Sequence, residues 1–434
     1  MFKFRIMSLR KILIGCTLII TAFFVALYWS TQSTDQIYSK SILYNIDDAE
    51  TVNFKDYDSV ELSPTDIYKA DELKKLIQGK QYREAWSAKV KVPIVFLDTL
   101  KGGMTIIEEG GGNQTHSLEM RGADGFTYSL RSVNKDTRPL VPKFLEILKL
   151  ENIVVDGISA QHPFAAILAA ELAEKANVLH TSPQMVFVPK QSRLGEFNEK
   201  FGNRLYLLEY ETKSKVNYTK HNNIVEIIDT DNLQELKLEL KDSLHIDEHA
   251  LVRSRLFDMI IGDWDRHTKQ WAWAVQKSSD GYKAIPVAGD RDNAFFNIEG
   301  LVPSILSNKH VVKELRPFKS DIDYMEGLVY PFDNYFLSQT EESVFIEEAE
   351  NLQNLLKDSE LESAFAVWPE NIRKLDEKEI LSKMKERRNN IKDYAIQFYN
   401  IIQKQGLVTA PLKGSEDLEL SKEFIGCFEC AKDN

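Results

Sequence analysis

The chain has 434 residues, of which 43% are hydrophobic and 28% charged, and its formal net charge is −12. This length supports one large domain or two lobes, and the ordinary apolar fraction excludes a fibrous or disordered chain. The acidic balance excludes broad nucleic-acid binding, which needs clustered Lys and Arg, but it admits a polyphosphate bridged by a metal ion.

Residues 12–29 read ILIGCTLIITAFFVALYW, an uncharged run of about 18 residues that approaches the hydrocarbon thickness of a bilayer. Lys3, Arg5, Arg10 and Lys11 precede it and Asp35 follows. The positive-inside rule therefore keeps the N-terminus cytoplasmic and places the main domain on the exported side. A cleaved signal peptide is the rival reading, but the run exceeds a usual signal core and no small-x-small site follows it. Residues 1–30 are thus expected to be a cytoplasmic tip and single-pass membrane anchor. Residues 31–90 are polar and mixed, with helical signal from about Pro64 to Ala88, and are expected to be a stalk and leading helix.

Residues 91–211 carry strand patterns. Pro93–Leu97 and Met104–Glu109 are short apolar runs, and 117–121 and 126–133 alternate. Gly110-Gly111-Gly112-Asn113-Gln114-Thr115 joins two of these strands, and the next strand ends in Arg131 and Lys135. Glycines let backbone N–H groups approach phosphate oxygens, and a neighbouring strand can aim a cation at the same phosphates. Gly110, Gly111, Gly112, Gln114, Arg131 and Lys135 are the candidate nucleotide-binding residues. An ordinary hairpin whose turn needs positive φ explains the glycines as well. The alanine-rich segment 164–176 is a helix carrying Glu171 and Glu174; Glu171 is a candidate to orient the strand cation, against the commoner reading of a solvated carboxylate. Gln184–Pro189 and Leu205–Tyr210 are two further strands.

From Asp247 the pattern turns helical. IDEHALVRSRLFDMII has the apolar spacing of a buried helix ending at Gly262. Asp263-Trp264-Asp265-Arg266-His267-Thr268-Lys269-Gln270 follows, and a hairpin of strands at 270–276 and 282–287 returns the chain to Gly289-Asp290-Arg291-Asp292-Asn293. Two acidic clusters joined in this way let one carboxylate accept the proton of an attacking hydroxyl while another holds a metal on nucleotide phosphates. Their mutual repulsion requires Arg266, Arg291 or a divalent cation nearby. Single Asp-Arg or Asp-Asn steps of this kind also cap helices and make turns.

At these residues the chain resembles the atypical branch of the protein-kinase-like fold, which includes phosphoinositide kinases, HipA-type kinases, secretory-pathway kinases and CotH-type spore-coat kinases. The string FDMIIGDWDRHTKQW is similar to exported bacterial members of that branch, and the resemblance covers roughly residues 91–405. It implies an α+β, two-lobed fold, with a β-rich nucleotide-binding lobe over 91–211 and a larger helical catalytic lobe over 212–405. It further implies Asp265, Arg266 and His267 as the catalytic group. Asp290 is the preferred metal ligand, with Asp292 and Gln270 as further candidates, Mg²⁺ or Mn²⁺ as the metal, and ATP or GTP as co-substrate. The acceptor would be a protein, sugar or lipid hydroxyl. Three departures stand out. Gln270 replaces the usual Asn or acidic residue, Arg131 stands where a Lys is usual so that Lys135 competes for the phosphate role, and both Asp290 and Asp292 suit the metal.

Residues 301–405 read as helices closing with a long amphipathic stretch over 376–403. The polar tail 406–434 is expected to be loosely attached, and its Cys427 and Cys430 are either a local disulfide or two free thiols; two thiols cannot close a zinc site. Two other functions compete with phosphotransfer. A metal-dependent hydrolase would need more His and Asp ligands than the cluster supplies, with only His267 of eight histidines inside it. A pseudokinase or nucleotide-binding scaffold would bind nucleotide without turnover.

Overall fold

The computed structural model describes residues 9–34, 38–46, 48–111, 114–141, 143–148, 151–412 and 422–430. It is a mixed fold of helices and three sheets. Helix α1, Leu9–Ser30, is the apolar N-terminal run. Most of it is exposed, but Leu27 and Ser30 at its end are buried against the body. Asn152–Lys175 is also apolar enough to cross a membrane by composition, yet it lies mostly inside the fold.

The segment expected as a stalk is instead folded into the body. Strands β1 (Ile42–Leu43), β2 (Ser59–Ser63) and β3 (Val90–Pro93) form an antiparallel sheet. Helices α2 (Glu72–Gln78) and α3 (Arg83–Ser87) lie between β2 and β3. Val60, Leu62 and Trp86 belong to the main core. The polar composition misleads because its charges are satisfied internally: Arg83 Nη1 and Lys74 Nζ lie 2.8 and 3.0 Å from the buried carboxylate of Asp156.

Five antiparallel strands make the second sheet: β4 (Met104–Gly110), β5 (Ser117–Gly122), β6 (Thr127–Ser132), β7 (Gln184–Val188) and β8 (Arg204–Tyr210), in the order β4-β5-β6-β8-β7. One helix was expected within this region; α4 (Lys143–Leu148) and α5 (Asn152–Gly157) precede the expected α6 (Ala165–Lys175), and α7 (Asn198–Phe201) precedes β8. Both faces of β8 are covered. Leu205 and Leu207 join the core that holds α6, while Tyr206 and Leu208 pack with Leu118, Met120 and Phe201. Burial on both faces gives this strand its nearly continuous apolar sequence.

The second half contains more strand than its sequence suggested. Strand β9 (Ile224–Asp229) leads to α8 (Thr230–Leu240), β10 (Leu244–Ile246) and α9 (Glu248–Ile261). The expected hairpin follows as β11 (Trp271–Ser278) and β12 (Gly281–Ala288), and the sheet order is β10-β12-β11-β9. Short α10 (Leu301–Leu306) and α11 (Pro331–Leu337) precede α12 (Glu342–Leu355), α13 (Asp358–Ala364), α14 (Glu370–Asn389) and α15 (Ile391–Gln405). The single amphipathic stretch expected over 376–403 is therefore two helices, interrupted at Asn390 beside a second asparagine, both poor helix formers.

The tail is also tied down. After α16 (Lys422–Gly426), Cys427 and Cys430 form a disulfide. Phe428 between them is fully buried against Tyr335 and Phe336, and its N–H donates to the Tyr335 carbonyl at 2.9 Å.

Candidate active site

The floor of the site is set by α9. Asp247 caps its start, accepting from the Ala250 N–H at 3.0 Å, which satisfies one of the free N-terminal donors. Gly262 ends it in the left-handed region at φ +70, where a Cβ would lie 2.3 Å from the Phe318 ring. Only glycine allows this turn, and it throws residues 263–267 off the buried helix.

Asp258, fully buried on α9, holds that turn in place. Its Oδ2 lies 3.2 Å from Arg266 Nε and its Oδ1 3.0 Å from Arg291 Nε. Arg255 binds both Asp258, at 3.4 Å, and buried Asp333, at 2.6 Å. Arg266 then reaches across to the second acidic segment, where Nη1 donates to the Gly289 carbonyl at 2.9 Å and to that of Asp290 at 3.5 Å. Arg266 was expected among the catalytic residues. Its guanidinium is fully buried and occupied with Asp258 and backbone carbonyls, so it positions the two loops relative to one another rather than reaching a substrate.

The two neighbouring aspartates of this turn differ. Asp263 is buried, its Oδ1 accepts from the Asp265 N–H at 3.2 Å, and burial pushes its carboxyl well above the usual range despite Arg266 nearby. Asp265 is partly exposed, with His267 Nε2 3.8 Å from its Oδ1. His267 Nδ1 accepts from the Lys269 N–H at 3.2 Å. That bond places the imidazole proton on Nε2, facing Asp265.

The opposite wall comes from the five-stranded sheet. Alternation along β6 puts Tyr128 and Leu130 in the core beneath the sheet, so Arg131 faces the other way. Register pairs Arg131 with Leu207 and Ser129 with Glu209, which leaves Arg131 and Glu209 as diagonal neighbours on one face. Arg131 Nε lies 2.8 Å from Glu209 Oε1, and its Nη1 lies 3.2 Å from Asp290 Oδ2. Lys135, three residues beyond β6, pairs with Asp292 and donates to Thr115 Oγ1 at 2.9 Å. The candidates Arg131, Lys135, Asp290 and Asp292, drawn from the two halves of the chain, thus meet in one cleft together with Thr115 and Glu209.

Electrostatics separate the two carboxylates of this cleft. Burial would raise Asp290, but Arg131, Lys135, Arg266 and a hydrogen bond from Gln270 outweigh it and hold the group below its usual range. Asp292 is raised, by burial and then by the Asp290 charge. Gln270 therefore does meet Asp290, through its amide. Among the described residues no three His, Cys, Asp or Glu side chains form a ready-made metal cage. Two carboxylates and an amide do fit Mg²⁺, which commonly takes one or two protein carboxylates plus phosphate oxygens and water.

The glycine turn is placed less directly. Gly111 has φ +129, and a Cβ there would lie 2.3 Å from the Thr115 carbonyl, so the turn itself requires glycine. Gly110 ends β4, Gly112 lies outside the described residues, and the Gln114 carbonyl accepts from the Asp136 N–H at 2.7 Å. That bond ties the turn to the loop bearing Lys135. Among the described residues of this segment, Thr115 lines the cleft.

Glu171 does not join the group. It faces Lys175 at 3.7 Å one helical turn along α6 and is more than one-third exposed, as i,i+4 spacing on a solvated helix face dictates. The carboxylate that orients the strand cation is Glu209. A lone glutamate inside the apolar strand RLYLLEY was the sequence signal for it.

Glu209 is pushed up to about 7, by burial first, with Arg131 and the Thr181 hydroxyl pulling the other way. Its folded value exceeds that of an unfolded glutamate, so its contribution to stability is complete below about pH 4.3 and is lost as pH rises through about 7. His180, lowered to about 4 by burial and then by Arg291, has the opposite sign between pH 4 and 6.5. The difference between wild type and Glu209→Gln isolates the glutamate: wild type should lose stability relative to the variant between pH 5 and 7.5 in denaturant titrations. Parallel curves would show that Glu209 titrates normally.

No family model matches the chain, and no curated protein matches it in sequence. Among solved structures it is similar to the crystal structure of a Helicobacter pylori proinflammatory kinase, CtkA, at 14% identity and a TM-score of 0.34 over 70% of this chain and 97% of that one. It is also similar to HipA in a HipA, HipB and operator DNA complex of a toxin–antitoxin system from Shewanella oneidensis MR-1, at 10% identity and a TM-score of 0.30 over 69% and 67% of the two chains. Likeness at this level leaves the function to the geometry of the site.

Proposed function

We propose that the chain is a membrane-anchored, kinase-like phosphotransferase that moves the terminal phosphoryl group of ATP or GTP to a hydroxyl acceptor with Mg²⁺ or Mn²⁺. The observation that carries this reading is the pairing of Arg131 with Asp290 and of Lys135 with Asp292 across one cleft. Two strand-side cations facing two loop carboxylates form a site for phosphates on one side and a divalent metal on the other. The free space among these side chains is about 40 Å³, room for only a few waters at ~10–15 Å³ each. Nucleotide entry on this reading separates the ion pairs, turning Arg131 and Lys135 to phosphate oxygens and freeing Asp290 and Asp292 for the metal. The bound metal would neutralise charge on the phosphate oxygens. Asp265, oriented by His267, would accept the acceptor's hydroxyl proton, while Arg266 keeps the two loops in register. The anchor is α1, with the folded domain on the exported side.

One observation favours a second reading, nucleotide binding without turnover. Gln270, whose amide lies beside Asp290, is one methylene longer than Asn and lacks the charge of a carboxylate, the two residue types that the resembled family has at this position. Incubation of the full chain with γ-labelled ATP or GTP and Mg²⁺ or Mn²⁺ tests both readings. Label on the chain or on an added hydroxyl acceptor supports transfer; metal-dependent binding with no transfer supports the scaffold; absence of both binding and transfer overturns both readings.

A further inference from the structure

We propose that the exposed apolar side chains of α2, α10 and the turn after it form a collar that lies in the headgroup region of the bilayer that α1 enters. This inference rests on the reading of α1 as a membrane span and extends it to the folded domain.

A chain of direct contacts leads from the span to the collar. Gln78, the last residue of α2, donates to Ser30 Oγ at the end of α1 at 3.2 Å, and Lys74 donates to Ser33 Oγ at 3.0 Å. On another side Asn152 Nδ2 donates to the Thr31 carbonyl at 3.2 Å. The exit of α1 is therefore docked on the body with no free linker. Gly79 follows Gln78 directly and packs backbone to backbone on Glu299 and Gly300, where a Cβ on either glycine would lie 2.3 Å from the opposing main chain. Gly300 opens α10. The end of the span, the end of α2 and the start of α10 thus occupy one locus, and Tyr28 and Trp29 are exposed beside it, as aromatic residues at a membrane–water boundary are.

Around that locus the surface is apolar where a soluble surface is polar. Leu76 is 63% exposed, Ile305 61% and Val311 57%, with Leu73, Leu301 and Leu306 also exposed. Leu301 and Ile305 are one helical turn apart and share a face of α10. Patches of this kind on a folded domain mark a binding surface, and continuity with the span makes the bilayer the occupant. Exposed Lys309 and His310 flank the patch, with Lys313 beside them 3.5 Å from Glu314, where cations meet lipid phosphates. A consequence follows for the candidate site. Asp290 and Gly300 are ten positions apart in the chain, and an extended chain spans at most ~3.3–3.6 Å per residue. The cleft therefore sits within roughly 35 Å of the collar, and an acceptor would be engaged within that distance of it.

The test is a depth measurement on the full chain in liposomes. In a Cys16→Ser background, single cysteines at Ile305, Leu76, Trp29 and Val225 carry an environment-sensitive fluorophore, and the bilayer contains nitroxide-labelled lipid. Val225, an exposed apolar residue on β9 and not a collar residue, is the reference. The expected result is strong quenching and a blue-shifted emission at Ile305 and Leu76, comparable with Trp29, and none at Val225. Quenching at Trp29 with Ile305 and Leu76 as unquenched as Val225 would overturn the collar while leaving the anchor. No quenching at Trp29 would overturn the anchor itself, and the collar with it.

Discussion

Asp290→Asn is expected to abolish the part of nucleotide-induced thermal stabilisation that requires Mg²⁺ or Mn²⁺, and to leave any metal-independent part in place. A ligand that binds only the folded state stabilises it by about 2.7 kcal/mol at a hundredfold excess over its dissociation constant. Asp290 is the carboxylate of the cleft whose ionised form Arg131, Lys135, Arg266 and the Gln270 amide favour against burial, so it is the preferred ligand of the two. Asparagine is the appropriate replacement for a backbone reason. Asp290 has φ +47, a left-handed conformation that Asn tolerates and that costs most other residues ~1–2 kcal/mol. Alanine would therefore mix a folding defect with the loss of a ligand. Asp292→Asn is the comparison. Its carboxyl is raised, so it should retain more of the metal-dependent shift than Asp290→Asn does. A full shift in Asp290→Asn with none in Asp292→Asn would transfer the metal role to Asp292, and a full shift in both variants would remove the metal from this cleft.

Local pattern made most of the cleft legible in the sequence. Gly262 at the end of an apolar helical run, the β11–β12 hairpin and the Asp290 segment follow from residue spacing alone, and the structure puts each where that spacing requires. The misses have a common physical origin, namely charges satisfied by partners far along the chain. Residues 31–90 look like a stalk and leading helix until Asp156 is seen to neutralise Arg83 and Lys74 from about 70 to 80 positions away. Arg266 looks catalytic beside Asp265 until its buried ion pair with Asp258 and its hydrogen bond to the Gly289 carbonyl are seen. Glu171 draws notice because it sits on a helix, whereas strand register sets Glu209, not Glu171, beside Arg131. Buried Glu209 inside RLYLLEY was available from sequence as a polar residue at an inward position; the identity of its partner was not, because pairing between β6 and β8 crosses α6. The collar was also invisible in sequence, since Leu76 and Ile305 read as ordinary apolar residues and only the tertiary structure shows that no described residue covers them.

Asp265→Asn is expected to lower transfer by roughly 10²–10⁴-fold, or about 3–5 kcal/mol of transition-state stabilisation, while keeping the nucleotide-induced thermal shift. The reason lies in the division of labour within the turn. Asp265 is partly exposed and has the Nε2–H face of His267 beside it, so it can meet an acceptor hydroxyl. The proposed phosphate and metal ligands, in contrast, come from β6, its following loop and the segment after β12. Asp263 two residues earlier is the matched control. It is buried, its Oδ1 accepts the Asp265 N–H, and its carboxyl is driven toward the neutral form by burial. Asn is isosteric with that neutral form and retains the acceptor, so Asp263→Asn should cost on the order of 1 kcal/mol of stability and leave most of the transfer rate. The two variants have the same chemistry changed at neighbouring positions, and single-turnover measurements at saturating nucleotide separate rate from affinity. A dead Asp263→Asn beside a fully active Asp265→Asn would mean that the catalytic carboxylate is the buried one, reached only after the turn opens, and that the register assigned to the loop is wrong.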